Sequence, residues 1–298
     1  MSTFQAFKDD GAILFDTNLI CCGLVKSGNM QYIESWLRRT LRSAQLDPND
    51  GANWTRSGAT ASADWADQLH GFTVYNAVSP IVFIVGKGCY NGTLVSGNAT
   101  TFYYVNSDPS TKFYCFDLMA DNMPGSTFLK TYSDNGRITF NSLQPPLNVI
   151  AAIQAPPYQG GQGSQYPPLN SLAYVGGRFV RQQLPVNRLT AQLTFVVDIP
   201  IAAGVEFAAF LPWSRGCKIL DFPPVGVGRP VYQYDGVEGC AGYVGGITFM
   251  FGPAGGTPEA YPIIGPGTPR PPNFYQIAID RYPVALVINT TNYPFPFN

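Results

Sequence analysis

The segment Phe4-Gln-Ala-Phe-Lys-Asp-Asp-Gly-Ala-Ile-Leu-Phe-Asp16 returns in outline as Leu129-Lys-Thr-Tyr-Ser-Asp-Asn-Gly-Arg-Ile-Thr-Phe-Asn141. No other feature limits the fold as strongly. Asp9 matches Asp134, Gly11 matches Gly136, Ile13 matches Ile138 and Phe15 matches Phe140, while Phe7 is answered by Tyr132 and Asp10 by Asn135. Each copy places two aromatic and aliphatic runs around a polar break ending in Gly, which reads as strand, tight turn, strand. Two small acidic or amide residues followed by Gly suit a type I turn closed by a left-handed glycine. Glycine takes positive φ there without penalty, so the turn fixes the register. That register is expected to pair Phe7 with Ile13 and Gln5 with Phe15, and Tyr132 with Ile138 and Lys130 with Phe140. Phe7, Ile13 and Phe15, with Tyr132, Ile138 and Phe140, then face cores, and Leu14 and Thr139 lie on the opposite face.

A repeated hairpin without repeated chemistry is a building element, and the rest of the chain agrees. Strand-like runs include Leu19–Val25, Pro80–Val85, Thr101–Val105, Lys112–Asp117, Leu189–Val197, Val205–Leu211, Ile247–Phe251, Tyr275–Ile279 and Val284–Ile288. The continuous apolar run Ile81–Val85 predicts a central strand. One stretch departs from this pattern. Met30, Ile33, Leu37, Leu41 and Ala44 recur at helical spacing after Ser27-Gly28-Asn29, with Trp36 beside the stripe, and predict a short amphipathic helix near 30–45. The expected fold is mainly β: two antiparallel β-sandwich-like domains with that single helix. The recurrence of the hairpin places the boundary after Asp121-Asn122-Met123-Pro124, giving an N-terminal domain over 1–124 and a C-terminal domain over 125–298. The Gly- and Pro-rich stretch 155–168 is a rival boundary.

Function is narrowed mainly by exclusion. Charged residues make up 12% of the 298, about half the usual share, and the net charge is −1 with basic residues scattered. That is not a nucleic-acid footprint. No run reaches the roughly 18 apolar residues of a membrane span, and Met1-Ser2-Thr3-Phe4 does not open a signal peptide, so synthesis in a cytosol without membrane insertion is expected. Cys21, Cys22, Cys89, Cys115, Cys217 and Cys240 lack C-x-x-C spacing and read as thiols. With His70 as the sole histidine, no zinc site is expected, and no cofactor. The nucleophile elbow, P-loop, zincin and dinucleotide motifs are absent; Gly226-Val-Gly228 stops short of a Rossmann fingerprint, and Asp9-Asp10-Gly11 falls short of a calcium loop. Glu34, Asp117, Glu206, Asp221, Asp235, Glu238 and Asp280 could supply a glycosidase pair, but each is read first as structural or exposed. No enzyme is expected. Trp54 and Trp65, in an Ala-, Ser- and Thr-rich stretch, are the candidate binding-loop aromatics for a sugar or protein, with stapling of the loop to the core as the alternative role.

The two hairpin segments resemble a family of bacteriophage tail and prophage virion proteins. The likeness continues through Gly23-Leu24-Val25, through Phe113–Asp117 and on to Ile150, and into Val284–Tyr293. It covers about a third of the chain. What the resemblance implies is a non-enzymatic structural protein of the tail tip or baseplate. Such a protein assembles in the host cytoplasm, resides in the virion and takes part in host receptor binding. Its implied partners are other tail proteins, further copies of itself (a trimer foremost), and a host surface glycan or pilus. A carbohydrate-binding module and a polysaccharide depolymerase are the alternatives.

Overall fold

A computed structural model describes residues 5–7, 11, 13–16, 19–37, 39–41, 46–47, 49–56, 66–121, 123, 125, 128–160, 173–182, 192–221, 232–256, 258–260 and 273–297. They form a mainly β protein, as the sequence leads one to expect. Most strands join one large, curled sheet. Its main path runs 151–154, 284–289, 207–210, 81–85, 232–243, 246–253, 192–200 and 178–182. A four-stranded sheet, ordered 31–37, 66–75, 99–105 and 89–96, packs against it.

Between the sheets lies an aromatic core. Phe72 of the smaller sheet stacks on Phe113 of the larger, ring centroids 3.6 Å apart, and on Phe102 at 5.2 Å. Val82, Ile84, Val196 and Met250 belong to the same cluster. A second cluster gathers around Tyr174, Phe195, Phe249, Phe251 and Phe274 of the large sheet and its connections. Each fully buried ring contributes about 1.5–3 kcal/mol relative to exposure, which is what holds the two layers together.

The strand Ile81–Val85 is central, as its apolar run predicts. It pairs with Lys112–Leu118 and with Phe207–Phe210, both antiparallel, and meets Gly242 in parallel through Val85. Sheet hydrogen bonding therefore crosses the expected 124/125 boundary. The C-terminal segment 293–297 is also tied in, because Ser27 and Phe297 exchange two backbone hydrogen bonds and Tyr293 packs on Phe116.

The two hairpins have one register. Gln5 opposes Asp16, Ala6 opposes Phe15 and Phe7 opposes Ile13; Lys130, Thr131 and Tyr132 oppose Asn141, Phe140 and Ile138 in the same way. The Phe7–Ile13 and Tyr132–Ile138 pairs are those the turn predicts. The outer pairs are not, because a bulge follows Ala6 and Thr131 and slips Phe15 and Phe140 by one residue.

The buried face of the second hairpin also differs from expectation. Thr139 and Asn141 are fully buried while Tyr132 is 52% exposed. Polar residues can occupy that face because each is satisfied: Thr139 Oγ1 bonds Thr131 Oγ1 at 2.8 Å, and Asn141 Nδ2 donates to the Ala120 carbonyl. The side chains of Phe7, Ile13, Leu14 and Phe15 lie outside the described residues.

The expected helix near 30–45 is not formed. Gln31–Leu37 and Arg39–Leu41 are strands, and Ala44 lies outside the described residues. The cause is a bulge at Ile33, between the pairs Tyr32–His70 and Glu34–Leu69. The extra residue stretches the period of two, so buried Met30 and half-buried Ile33 and Trp36 recur every third position, like a helical stripe.

Candidate functional site: an aromatic groove

The most deeply buried charges form a structural lock. In the antiparallel pair 216–221 and 232–243, Gly216 faces Val237, so the preceding Arg215 falls opposite Glu238. Both side chains are wholly inaccessible. Arg215 Nε and Nη2 donate to the two Glu238 oxygens at 2.8 and 2.7 Å, the Tyr174 hydroxyl donates to Oε1 at 2.7 Å, and Arg215 Nη1 reaches the Ala278 carbonyl at 3.2 Å. The guanidinium also lies 4.9 Å from the Tyr282 ring centroid. Burial, reinforced by Glu238, pushes the Tyr174 phenol well up, so it stays a neutral donor. With both oxygens taken up by these donors and no exposure to solvent, the carboxylate has no access to a substrate. Its chemistry is architectural.

The thiols beside it are equally unreactive. Cys89, Cys217 and Cys240 are buried, and burial pushes the Cys89 thiol to about 12 and the other two well up. Half-buried Cys21 and Cys22 are also raised, chiefly by desolvation. A nucleophilic cysteine needs the opposite shift. His70 is buried, its pKa is lowered by desolvation, and its Nδ1 has no partner among the described residues. Nor do any three His, Cys, Asp or Glu side chains among the described residues gather as metal ligands.

The carboxylates considered from sequence are spread among separate tasks. Asp117 accepts from the backbone N–H groups of Val78 and Ser79 at 2.8 and 2.7 Å. Glu206 bonds Lys112 and Thr290, and Asp235 pairs with Lys218. The side chain of Asp221 lies outside the described residues.

Glu34 is different. It lines an open groove of about 430 Å³ with Trp36, Asn91, Thr93, Leu94 and Tyr103. Trp36 and Tyr103 rings stand 5.8 Å apart at 39°. Burial raises the Tyr103 phenol, and the charge of the nearby Glu34 carboxylate raises it further. A glycine turn braces the indole from behind. Gly256 has φ 65°, and its N–H donates to Asp67 Oδ2 at 3.1 Å. A Cβ at Gly256 would approach the Trp36 Cβ to 3.3 Å, in a conformation side chains rarely adopt. Gly255 N–H donates to Asn91 Oδ1 at 3.0 Å, fixing that amide at the groove edge. Two rings offer apolar faces, while a carboxylate, an amide and a hydroxyl offer acceptors and donors. That combination suits a sugar, whose ring is apolar on its C–H face and polar at its rim.

Neither tryptophan singled out from sequence is placed in this groove by a described contact. Trp54 begins the short strand Trp54–Arg56, opposite Leu41, with its side chain outside the described residues; Trp65 lies outside them altogether. Trp36 was legible only as a neighbour of the supposed helix. Recognising the bulge would have turned Glu34 into an exposed position and Trp36 into a half-buried one on an edge strand. For Arg215 and Glu238, the available signal was a lone Glu in Gly236-Val-Glu-Gly-Cys-Ala241, a run of otherwise small and apolar residues.

No protein family, curated protein or solved structure matches this chain.

Proposed function

We propose that the chain is a non-enzymatic structural protein of a bacteriophage tail tip or baseplate that contacts a host-surface saccharide through the Trp36–Tyr103 groove. One observation carries the binding part: two aromatic side chains, one carboxylate and one amide converge on a single open groove, with the indole braced by the Gly255–Gly256 turn. The tail part draws on the resemblance at the two hairpin segments. Repetition of one register in both copies is in keeping with a repeated building element. In the virion the chain assembles with other tail proteins and with copies of itself, a trimer being the favoured symmetric form.

The binding part is tested on an array of host-surface saccharides with the purified protein. Trp36→Ala is expected to weaken the strongest response at least tenfold, and Glu34→Gln several-fold with the fold intact by circular dichroism. A protein that binds no saccharide on the array would sink this part. For the tail part, the measurement is immunogold labelling of intact particles together with infectivity of a deletion phage. Infectious particles lacking the protein would refute it.

A further inference from the structure

A second site, independent of the groove, lies between the two sheets. It is a cavity of about 200 Å³ whose inner wall includes Val82, Ile84, Phe102 and Tyr104, all buried. At its rim stand Tyr90, 43% exposed, and exposed Ser214. Among the described residues, none of the side chains lining it carries a formal charge. The two titratable groups that face the interior, Tyr104 and Cys240, are both pushed well up by burial and so remain neutral.

The wall is held in place by features already described. Gly239 and Cys240 line the cavity directly after Glu238, and Ser214 lines it directly before Arg215, so the buried ion pair anchors two sides at once. At Gly239 the backbone is close to its neighbour: a Cβ would lie 2.5 Å from the Gly88 carbonyl oxygen, and Gly88 also lines the cavity. The Tyr90 and Tyr104 rings meet edge-on at 5.7 Å, and Tyr90 is fixed by a hydrogen bond to Thr93. A cavity with such walls is preformed, which removes the ordering cost of binding. Apolar cavities of about 150 Å³ take up benzene or xenon. This one is larger, and four aromatic rings, Tyr90, Phe102, Tyr104 and Phe210, share its lining with aliphatic side chains, so edge-to-face contacts add to simple burial.

We propose that this inter-sheet cavity is a binding site for a small, neutral aromatic molecule of one or two fused rings. A carboxylated ring of the same size is disfavoured, because no cation among the described residues lines the cavity to offset desolvation of its charge.

The test uses indole, toluene and benzoate with the whole chain, read by titration calorimetry and by the thermal midpoint. Indole or toluene is expected to bind saturably with a Kd below about 1 mM and to raise the midpoint. Benzoate should bind at least tenfold more weakly. Two variants locate the site: Val82→Phe fills it from within, and Ser214→Trp covers its mouth. Each should weaken indole binding at least tenfold, whereas Trp36→Ala should leave it unchanged. Ser214 is exposed, so Ser214→Trp decides the matter even where Val82→Phe fails to fold. No saturable binding of indole or toluene by the wild type, benzoate binding as tightly as toluene, or a Ser214→Trp variant that binds as the wild type does would each overturn the proposal.

Discussion

Glu238 and Glu34 are the same side chain put to opposite uses. Glu238 is wholly buried, and Arg215, Tyr174 and the Arg215 backbone N–H all donate to its two oxygens. Glu34 is exposed on an edge strand beside Tyr103 and Trp36. Isolated burial of a carboxylate is strongly unfavourable, so the first position exists only because its partners are built in. At the second, water supplies whatever the protein does not, which leaves the oxygens able to exchange solvent for a ligand. Burial, rather than residue type, separates scaffold from site.

The contrast can be broken first at its stronger end. Glu238→Ala should destabilise the fold by about 3–5 kcal/mol, because the Arg215 cation is left buried without its anion. Urea denaturation gives the value; a change below about 1 kcal/mol would show that the pair matters far less than its burial implies. Replacing both partners, Arg215→Met with Glu238→Leu, should recover most of that loss, since well-packed apolar side chains leave no charge uncompensated. A double variant no more stable than Glu238→Ala would contradict this.

Glu206 occupies the middle ground. Lys112 reaches it at 2.8 Å and Thr290 at 2.9 Å, and its side chain is 24% exposed. Glu206→Ala is accordingly expected to cost about 1 kcal/mol. Asp108 should show the pH dependence of such a partly exposed pair. Burial pushes its carboxyl up, but hydrogen bonds from Lys87 and Ser110 outweigh this and hold it at about 2. The folded value lies below the unfolded one, so the stabilisation is complete above the ordinary carboxylate range and disappears as pH falls through about 2. Its side chain is 35% exposed, which limits the effect to below about 1 kcal/mol. Asp108→Asn should therefore lower stability slightly at pH 6 and by clearly less at pH 2. A gap of the same size at both values would contradict the linkage.

At the weaker end, Glu34→Ala should change stability by no more than about 0.5 kcal/mol while reducing saccharide binding. Loss of both together would mean that Glu34 is a structural residue.

The sequence made the β class, the central strand Ile81–Val85 and the inner hairpin pairs readable, because each rests on local pattern or turn chemistry. It hid the bulge at Ile33, since one inserted residue converts a strand's alternation into spacing that mimics a helix. It also hid the polar inner face of the second hairpin. Thr139 and Asn141 look like solvent-facing residues until Thr131 and the Ala120 carbonyl are brought to them. The groove was hidden for a related reason: Trp36, Asn91 and Tyr103 come from three strands of one sheet, and only its pairing order brings them near one another. Tryptophans in a polar stretch were visible; a tryptophan on a misread strand was not.

Crossing of the expected boundary by the large sheet has a consequence in time. The strand Ile81–Val85 is made early, yet Ala209 and Gly242, which bond to it on one side, are synthesised much later. At ordinary ribosomal speeds the roughly 150 intervening residues take on the order of 10–30 s. Throughout that interval one edge of the most apolar strand in the nascent chain has no partner from the second half. Ala209 and Gly242 are what finally close it.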